Sequence, residues 1–172
     1  TLSYNTAVGF KAGLSVTTGI RNTIIGALAG DALTDGDNNV AVGMNALTTE
    51  TRADKNVAIG SHALHTQNVG TDTDTYNTGV GHNAGYSITT GVQNTIIGGV
   101  AGDALTDADN NVAIGYLALS AETNNNGNTA VGAEALKVQN AGGGGDARNT
   151  AVGFQTGLRV SDGVGNQLFG SF

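Results

Sequence analysis

Short runs in which apolar and polar residues alternate recur along the whole chain. The five-residue unit Asn-[Thr/Val]-[Ala/Ile/Gly]-[Val/Ile]-Gly has nine good copies and a degraded tenth copy that begins at Asn166. The good copies begin at Asn5, Asn22, Asn39, Asn56, Asn77, Asn94, Asn111, Asn128 and Asn149. Within Asn39–Gly43 the two valines fall on one face and Asn39 and Ala41 on the other, which is the two-residue period of a strand. The pattern predicts a short β-strand in every copy.

The spacing of these units has a second, longer period. Successive units lie 17, 17, 17 and 21 residues apart, and this series of 72 residues occurs twice. We call each repeat a coil, number the coils 1 to 10 from Asn5, and count positions from the asparagine. Position nine follows the long period as well, running Gly, Gly, Leu, Leu in both series. The chain 1–172 is therefore predicted to be a single repeat domain, with four-coil blocks at 5–76 and 77–148 and a partial third block at 149–172.

The pattern assigns a structural role to several positions of the coil. Position five is always Gly, which predicts a corner with positive φ or with a backbone too close for any Cβ. Polar segments such as Thr17–Gly19, Asp35–Asn38 and Thr89–Gly91 are predicted return turns, so a coil should have two short strands and two turns. Position four is Val or Ile in all nine good copies and is predicted to be the core row: Val8, Ile25, Val42, Ile59, Val80, Ile97, Ile114, Val131 and Val152.

Stacked coils of this kind predict an all-β fold, a parallel β-solenoid of about ten coils. Each strand would pair in parallel with its copies above and below at ~4.8 Å per coil, which gives a rod of roughly 45–50 Å. A helix over 17 residues is disfavoured because Gly, Asn and Thr dominate and no apolar stripe of helical period is sustained.

Composition explains why the core should be thin. Gly, Ala, Thr and Asn make up 92 of the 172 residues, and aromatic residues only 5%. Such a mixture cannot fill the wide core of an ordinary enzyme domain of this length. Yet 39% of the residues are hydrophobic and only 12% are charged, which is unlike a disordered chain. The composition favours a narrow, repetitive core.

Charge and cysteine content exclude further classes. The chain has no Cys, which excludes disulfides, thiolate nucleophiles and cysteine metal sites. Seven scattered Lys and Arg residues and a net charge of −7 argue against nucleic acid as a partner. No apolar run approaches the ~20 residues that span a bilayer, so no membrane insertion is expected. Because the sequence begins with neither Met nor a signal segment, we take it for a processed or excised piece.

The repeats resemble those of a known family. Asn56–Gly60 and Asn111–Gly115 read Asn-Val-Ala-Ile-Gly, and Asn5–Ala12 and Asn128–Ala135 share Asn-Thr-Ala-Val-Gly-x-x-Ala. These units are similar to the head repeats of YadA-like trimeric autotransporter adhesins and to repeats in phage and viral tail-fibre proteins. The resemblance implies a left-handed β-roll, of which three pack around a threefold axis as a stiff extracellular head or shaft.

The same resemblance implies which positions point inward. It implies that positions two and four lie inside each roll. Position three would then lie on the opposite face, with a contact between chains as one option: Ala7, Ile24, Ala41, Ala58, Gly79, Ile96, Ala113, Ala130 and Ala151.

Acidic residues recur in equivalent turns and suggest a cation site as one reading. They are Asp31, Asp35 and Asp37 in coil 2 and Asp103, Asp107 and Asp109 in coil 6. Asp35-x-Asp37-x-Asn39 has the alternating oxygen spacing of a calcium loop, but the sixth position lacks Gly and no Glu closes a twelve-residue loop. We keep calcium as the minor alternative and favour solvated Asx turns, so no cofactor and no metal site is predicted.

Other polar residues offer weaker candidates. The asparagines at position one predict either a structural amide ladder or a binding face, and their strict period favours the ladder. His62 and His82 fall at neighbouring positions of adjacent coils, with His65 close by, but acid–base or metal chemistry also needs a pocket. Ice binding is disfavoured because the pairs Thr17-Thr18 and Thr89-Thr90 are adjacent rather than alternating. We predict no enzyme, with no catalytic, cofactor-binding or metal residues.

The two 21-residue coils carry the remaining local signal. Their four extra residues fall in His65–Tyr76 and Lys137–Arg148, and both insertions should protrude on the same side, about 19 Å apart. Insertions in solenoids map to one surface, often the binding surface, and a tolerated flexible loop is the alternative.

These observations predict a structural and adhesive segment of an extracellular homotrimeric fibre, on a cell surface or a virion, with a cell-surface or matrix ligand as a further partner. The alternative is a subunit of a filament built by end-to-end stacking. It is suggested by the lack of a polar cap at Thr1–Tyr4 and by the apolar Leu168, Phe169 and Phe172 near the other end.

Overall fold

The computed structural model describes residues 3–171, so the predictions for Thr1 and Phe172 lie outside the described residues. Each coil contributes one strand of three residues, and the described residues form no helix. The strands are β1 (Thr6–Val8), β2 (Thr23–Ile25), β3 (Val40–Val42), β4 (Val57–Ile59), β5 (Thr78–Val80), β6 (Thr95–Ile97), β7 (Val112–Ile114), β8 (Thr129–Val131), β9 (Thr150–Val152) and β10 (Gln167–Phe169).

The ten strands form one parallel sheet in chain order, from β1 to β10. Every residue pairs with the residue at the same position of the next coil, as in Thr6 with Thr23 and Val8 with Ile25. The pairing steps over the four extra residues of the long coils, so that Val57 pairs with Thr78. The predicted parallel β-solenoid of ten coils is confirmed.

The assignment of position four to the core is wrong. Position three is the buried row, with Ile24, Ala58 and Ile96 at most 1% exposed, whereas the position-four residues Ile25 and Ile97 are 37% and 38% exposed. The two-residue period shows that positions two and four share a face, but it does not show which face is inside. The coil is narrow, so the inward position of the strand is usually Ala, and the bulkier Val and Ile residues point outward.

The prediction of a second strand in each coil is also wrong. The wall opposite the sheet is a run of turns in which positions seven and nine have positive φ, as at Lys11 (55°) and Gly13 (59°). Its backbone hydrogen bonds alternate between the same coil and the next one: Ala12 N donates to Gly9 O at 3.3 Å, and Gly13 N donates to Ala29 O at 3.0 Å. Backbone groups are therefore satisfied without extended geometry.

The predicted glycine corner at position five is confirmed, and both expected reasons hold. Gly43 has φ +134°, and a Cβ built on it would lie 2.5 Å from the carbonyl oxygen of Gly60 in the next coil. Gly60 stands in the same relation to Gly81. The corners stack backbone on backbone, which leaves no room for a side chain.

Two alternative fillings of the core account for the Gly/Leu pattern at position nine. Where position nine is Gly, position 12 is apolar, as in Gly30 with Leu33. Where position nine is Leu, position 12 is polar and fully buried, as in Leu47 with Glu50. The polar members are Glu50, Gln67, Glu122 and Gln139. On the turn wall each of these coils thus buries one bulky apolar side chain, either at position nine or at position 12.

Candidate interaction surface and polar positions

The most extensive candidate site is the outer face of the sheet, formed by positions two and four of β1 to β10. We call it the outer sheet face. Its position-four row is Val or Ile in nine coils and Phe169 in the tenth, and its position-two row is Thr or Val in nine coils and Gln167 in the tenth. None of these twenty positions carries a charge.

This face leaves apolar surface exposed along the whole rod. Ile59 in the middle of the sheet is 39% exposed even though strands pair with it on both sides. Four exposed residues at position six directly follow the corner glycines of their strands: Phe10, Met44, Tyr116 and Phe154. A row of exposed Val and Ile side chains without charges is typical of a surface that another molecule covers.

The asparagines at position one form the predicted ladder. Asn94 is fully buried, and its Oδ1 accepts a hydrogen bond from the backbone N–H of Asn111 in the next coil at 3.0 Å. Its Nδ2 donates to the carbonyl oxygen of Ala108 at 2.8 Å. The same pattern begins with Asn5, whose Oδ1 accepts from Asn22 N at 2.8 Å. These amides join each coil to the next and face away from solvent, so they form no binding face.

A second ladder, at position 16, uses acidic residues. Asp37 Oδ1 accepts from Ile20 N at 2.7 Å, and Asp54 Oδ1 accepts from Asp37 N at 2.6 Å. In the second block the same bonds come from Asp109 and Asn126. Burial raises the pKa of the Asp54 carboxyl above its ordinary value. The hydrogen bond from Asp37 N lowers this pKa, whereas the negative charges of nearby aspartates, Asp37 first among them, raise it further.

The acidic turns considered for calcium do not converge. Asp35 accepts from Thr34 Oγ1 at 2.7 Å and lies 3.6 Å from Arg52 Nε, whereas Asp31 bonds the hydroxyl of Thr48. Across residues 3–171, no group of three or more His, Asp or Glu side chains is placed to hold a metal ion.

The histidines do come together, as a ring cluster on the turn wall. His62 and His65 have ring centroids 5.3 Å apart, and His65 stacks on Tyr86 at 4.8 Å. The centroid of the exposed His82 lies 6.3 Å from that of His62. Burial, followed by the neighbouring His62, lowers the pKa of His65. The His62 nitrogens lie 2.8 Å from Ser61 Oγ and 3.1 Å from Asn45 Nδ2, so both are engaged.

The extra residues of the two long coils protrude at the same place in the coil, as expected. Residues 70–74 and 142–146 are exposed, and they return to the solenoid through isolated bridges of Asp54 with Asp74 and of Asn126 with Asp146. In the first loop the Lys55 ammonium bonds the Asp74 carboxylate, and this bond lowers the pKa of Asp74 and raises that of Lys55.

The buried acids at position 12 were not predicted from the sequence. Glu50 Oε1 accepts from the backbone N–H groups of Thr51, Arg52 and Ala53 at 2.8 to 2.9 Å, so the carboxylate caps the turn from inside. Glu122 caps the turn at Thr123 to Asn125 in the same way. The sequence does contain a signal for them, because position 12 changes from apolar to Glu or Gln wherever position nine changes from Gly to Leu.

Comparisons with known proteins leave the chain without an assigned family. No family model matches it, and neither the curated proteins nor the solved structures include a significant match. Over residues 3–171 there is no helix long and apolar enough to cross a membrane.

Proposed function

We propose that the chain is a structural and adhesive segment of an extracellular homotrimeric fibre and that it performs no catalysis. The observation that carries this proposal is the outer sheet face, an uncharged strip of Val, Ile and Thr side chains that runs the length of ten coils. A second and a third copy of the chain are the occupants proposed for it.

The shape of the face favours copies of the same chain as the partner. The strip repeats at every coil, so a parallel copy in register meets the same residue types at every level. In a trimer each chain would use two adjoining parts of this strip, one for each neighbour, so that the contact closes into a ring. A globular partner would cover only part of its length.

The adhesive part of the proposal rests on the protruding loops. Exposed residues 70–74 and 142–146 project at the same position of coils 4 and 8. A trimer would present six such loops on one rod, and repeated weak contacts to a cell surface or matrix ligand gain avidity without a deep pocket. The location proposed for such a rod is a bacterial surface or a virion.

The direct test is the mass of the particle in solution. We expect three chains per particle by sedimentation or light scattering, with a mass that does not change on dilution. A stable monomer would contradict the proposal.

Substitutions on the outer sheet face test whether this surface makes the contact. Ile59→Asp combined with Ile97→Asp places charges on two exposed positions, so the chain should keep its β-sheet circular dichroism but lose the trimer. Thr90→Asp, at an exposed turn position away from the face, is the matched control and should stay trimeric. A double variant that is still trimeric would exclude this face.

A single cysteine gives independent evidence because the chain has none of its own. Val80→Cys on the outer sheet face should form disulfide-linked dimers between chains on mild oxidation, whereas Thr90→Cys should not. Equal cross-linking of both variants would indicate random collision.

An end-to-end filament is the alternative, because coil already stacks on coil within the chain. Phe169 of β10 is 73% exposed, and a cavity of about 480 Å³ opens beside it, lined by Gln155, Leu158, Gln167 and Leu168 among others. A further coil would cover both features, whether it comes from the continuing chain or from a second molecule. A filament predicts that particle length grows with concentration, which the same mass measurement distinguishes from a trimer.

A further inference from the structure

The two long coils provide an internal comparison of one buried site. Residues of the two four-coil blocks correspond at an offset of 72, which pairs Glu50 of coil 3 with Glu122 of coil 7 and Gln67 of coil 4 with Gln139 of coil 8. Both loops rejoin the solenoid through the same backbone hydrogen bond: Thr75 N donates to Asp54 O at 3.2 Å, and Ala147 N donates to Asn126 O at 3.1 Å. The inward side chain at this point differs, because Thr75 is replaced by Ala147.

In coil 4 the Thr75 hydroxyl is the centre of a closed network. It donates to Asn56 Oδ1 at 2.7 Å and lies 3.4 Å from Gln67 Nε2. Gln67 Nε2 also donates to Glu50 Oε2 at 3.2 Å, and Gln67 Oε1 accepts from Asn77 Nδ2 at 3.1 Å. The buried amide of Gln67 and carboxylate of Glu50 are thereby satisfied.

In coil 8 the corresponding side chains have no such centre. Asn128 Nδ2, Gln139 Nε2, Gln139 Oε1 and Glu122 Oε2 are buried and find no hydrogen-bond partner among residues 3–171. All three side chains are fully buried. The equivalent side chains of the first block are joined through Gln67 and Thr75, and a buried polar group without a partner destabilises the fold.

We propose that coil 8 binds one internal water molecule where coil 4 has the hydroxyl of Thr75. The four unpaired atoms comprise two N–H donors and two oxygen acceptors, which match the two lone pairs and two hydrogens of a water molecule. A metal cation fits less well because the two amide donors would repel it. Buried waters occur where about three or four polar groups need partners.

The first test is direct observation of this water in the 172-residue protein. In water-selective NMR experiments the side-chain amides of Gln139 and Asn128 should show cross-peaks to a long-lived water, while Gln67 and Asn56 should not. A high-resolution crystal structure should place one ordered water against the same side chains. Direct bonding of Gln139 to both Glu122 and Asn128, with no water among them, would overturn the proposal.

The second test exchanges the deciding residue between the blocks. Ala147→Thr restores the hydroxyl of coil 4, so the water signals at Gln139 should disappear and the melting temperature should rise by about 2–4 °C. The matched control is Thr75→Ala, which should create equivalent water signals at Gln67. Persistence of the Gln139 signals in a folded Ala147→Thr variant would contradict the inferred site. If that variant does not fold, the wild-type signals and Thr75→Ala still decide.

Discussion

At position five the backbone of each coil touches the backbone of the next. Gly43 combines φ +134° with a virtual Cβ only 2.5 Å from Gly60 O. Gly145, in the second loop, has open space around the same virtual atom and no left-handed φ. Close packing therefore requires glycine at the corner, whereas in the loop a side chain at Gly145 would contact no other atom.

We expect Gly43→Ala to cost at least about 3 kcal/mol of the free energy of unfolding, because the stacked corners must move apart and the residue must hold a strained φ. Gly145→Ala should change that free energy by less than about 0.5 kcal/mol. Chemical denaturation of both variants measures the difference. Equal stability of the two would show that the corner can relax.

Asp54 is a residue whose charge opposes folding. Its pKa is raised in the folded chain, so the folded state binds the proton more tightly than the unfolded state does. Stability is then lost as pH rises through the window just above the ordinary Asp value of 3.8 and regained as pH falls through it. The second block has Asn126 at this position, and Asn126 Oδ1 still accepts the backbone N–H of Asp109 at 2.8 Å.

Asp54→Asn should therefore stabilise the chain at pH 7, by up to about 1 kcal/mol for a partly exposed group. The gain should shrink as the pH is lowered toward the raised pKa of Asp54, because the carboxyl group then becomes protonated. Thermal melts of wild type and variant across this range provide the measurement, with the exposed Asp162→Asn as control. A gain that is constant with pH would rule out the titration of Asp54 as its cause.

At the scale of one coil, the interior holds one bulky apolar side chain on the turn wall. It comes from position 12 in coil 2 (Leu33) and from position nine in coil 3 (Leu47), where it must adopt a φ of +53°. The two arrangements are thus alternative solutions to the same volume requirement, and Glu50 is buried beside the second one.

Leu47→Gly alone should cost about 2–5 kcal/mol through the lost apolar volume, and Glu50→Leu alone should be destabilising through overpacking and loss of the turn cap. Together they recreate the Gly30 and Leu33 pair of coil 2, so the double variant should be much more stable than the sum of the single effects predicts. A double-mutant cycle by denaturation measures this coupling. Simple additivity would contradict the volume exchange.

The period of the sequence was sufficient to predict every strand, their parallel order and the glycine corners, because each follows from a residue type that recurs at a fixed interval. It could not predict which face of each strand points into the core. Position four is Val or Ile in nine copies and position three is mostly Ala, so hydrophobicity favours position four as the core although position three is the buried row. The prediction of a second strand was wrong because the alternation of apolar and polar residues does not show that residues such as Leu47 have a positive φ.

At the scale of the whole molecule, each coil depends on its neighbours. Coils 5 and 6 have hydrogen-bonded coils on both sides, whereas β10 pairs only with β9 among the described strands. The free energy of opening should accordingly rise from the ends to the middle, as it does in other linear repeat proteins.

Amide hydrogen exchange checks this gradient. Gly98 N, bonded to Val80 O at 2.8 Å, should exchange more slowly than Gly170 N, bonded to Val152 O at 3.0 Å. Uniform protection along the rod would instead indicate a single cooperative unit in which the ends cannot open separately.

The in-register pairing of like positions also bears on how such a rod changes length in evolution. Unequal recombination between the gene segments for Asn22–Gly26 and Asn94–Gly98, which encode the same five residues, would remove or add one whole block. At the new junction, strands of neighbouring coils would pair in the same register as elsewhere in the protein, and the corner glycines and the amide ladder would continue across it. Gain or loss of a block would change the reach of the rod by about 19 Å without requiring any new interface, so length can be selected independently of fold.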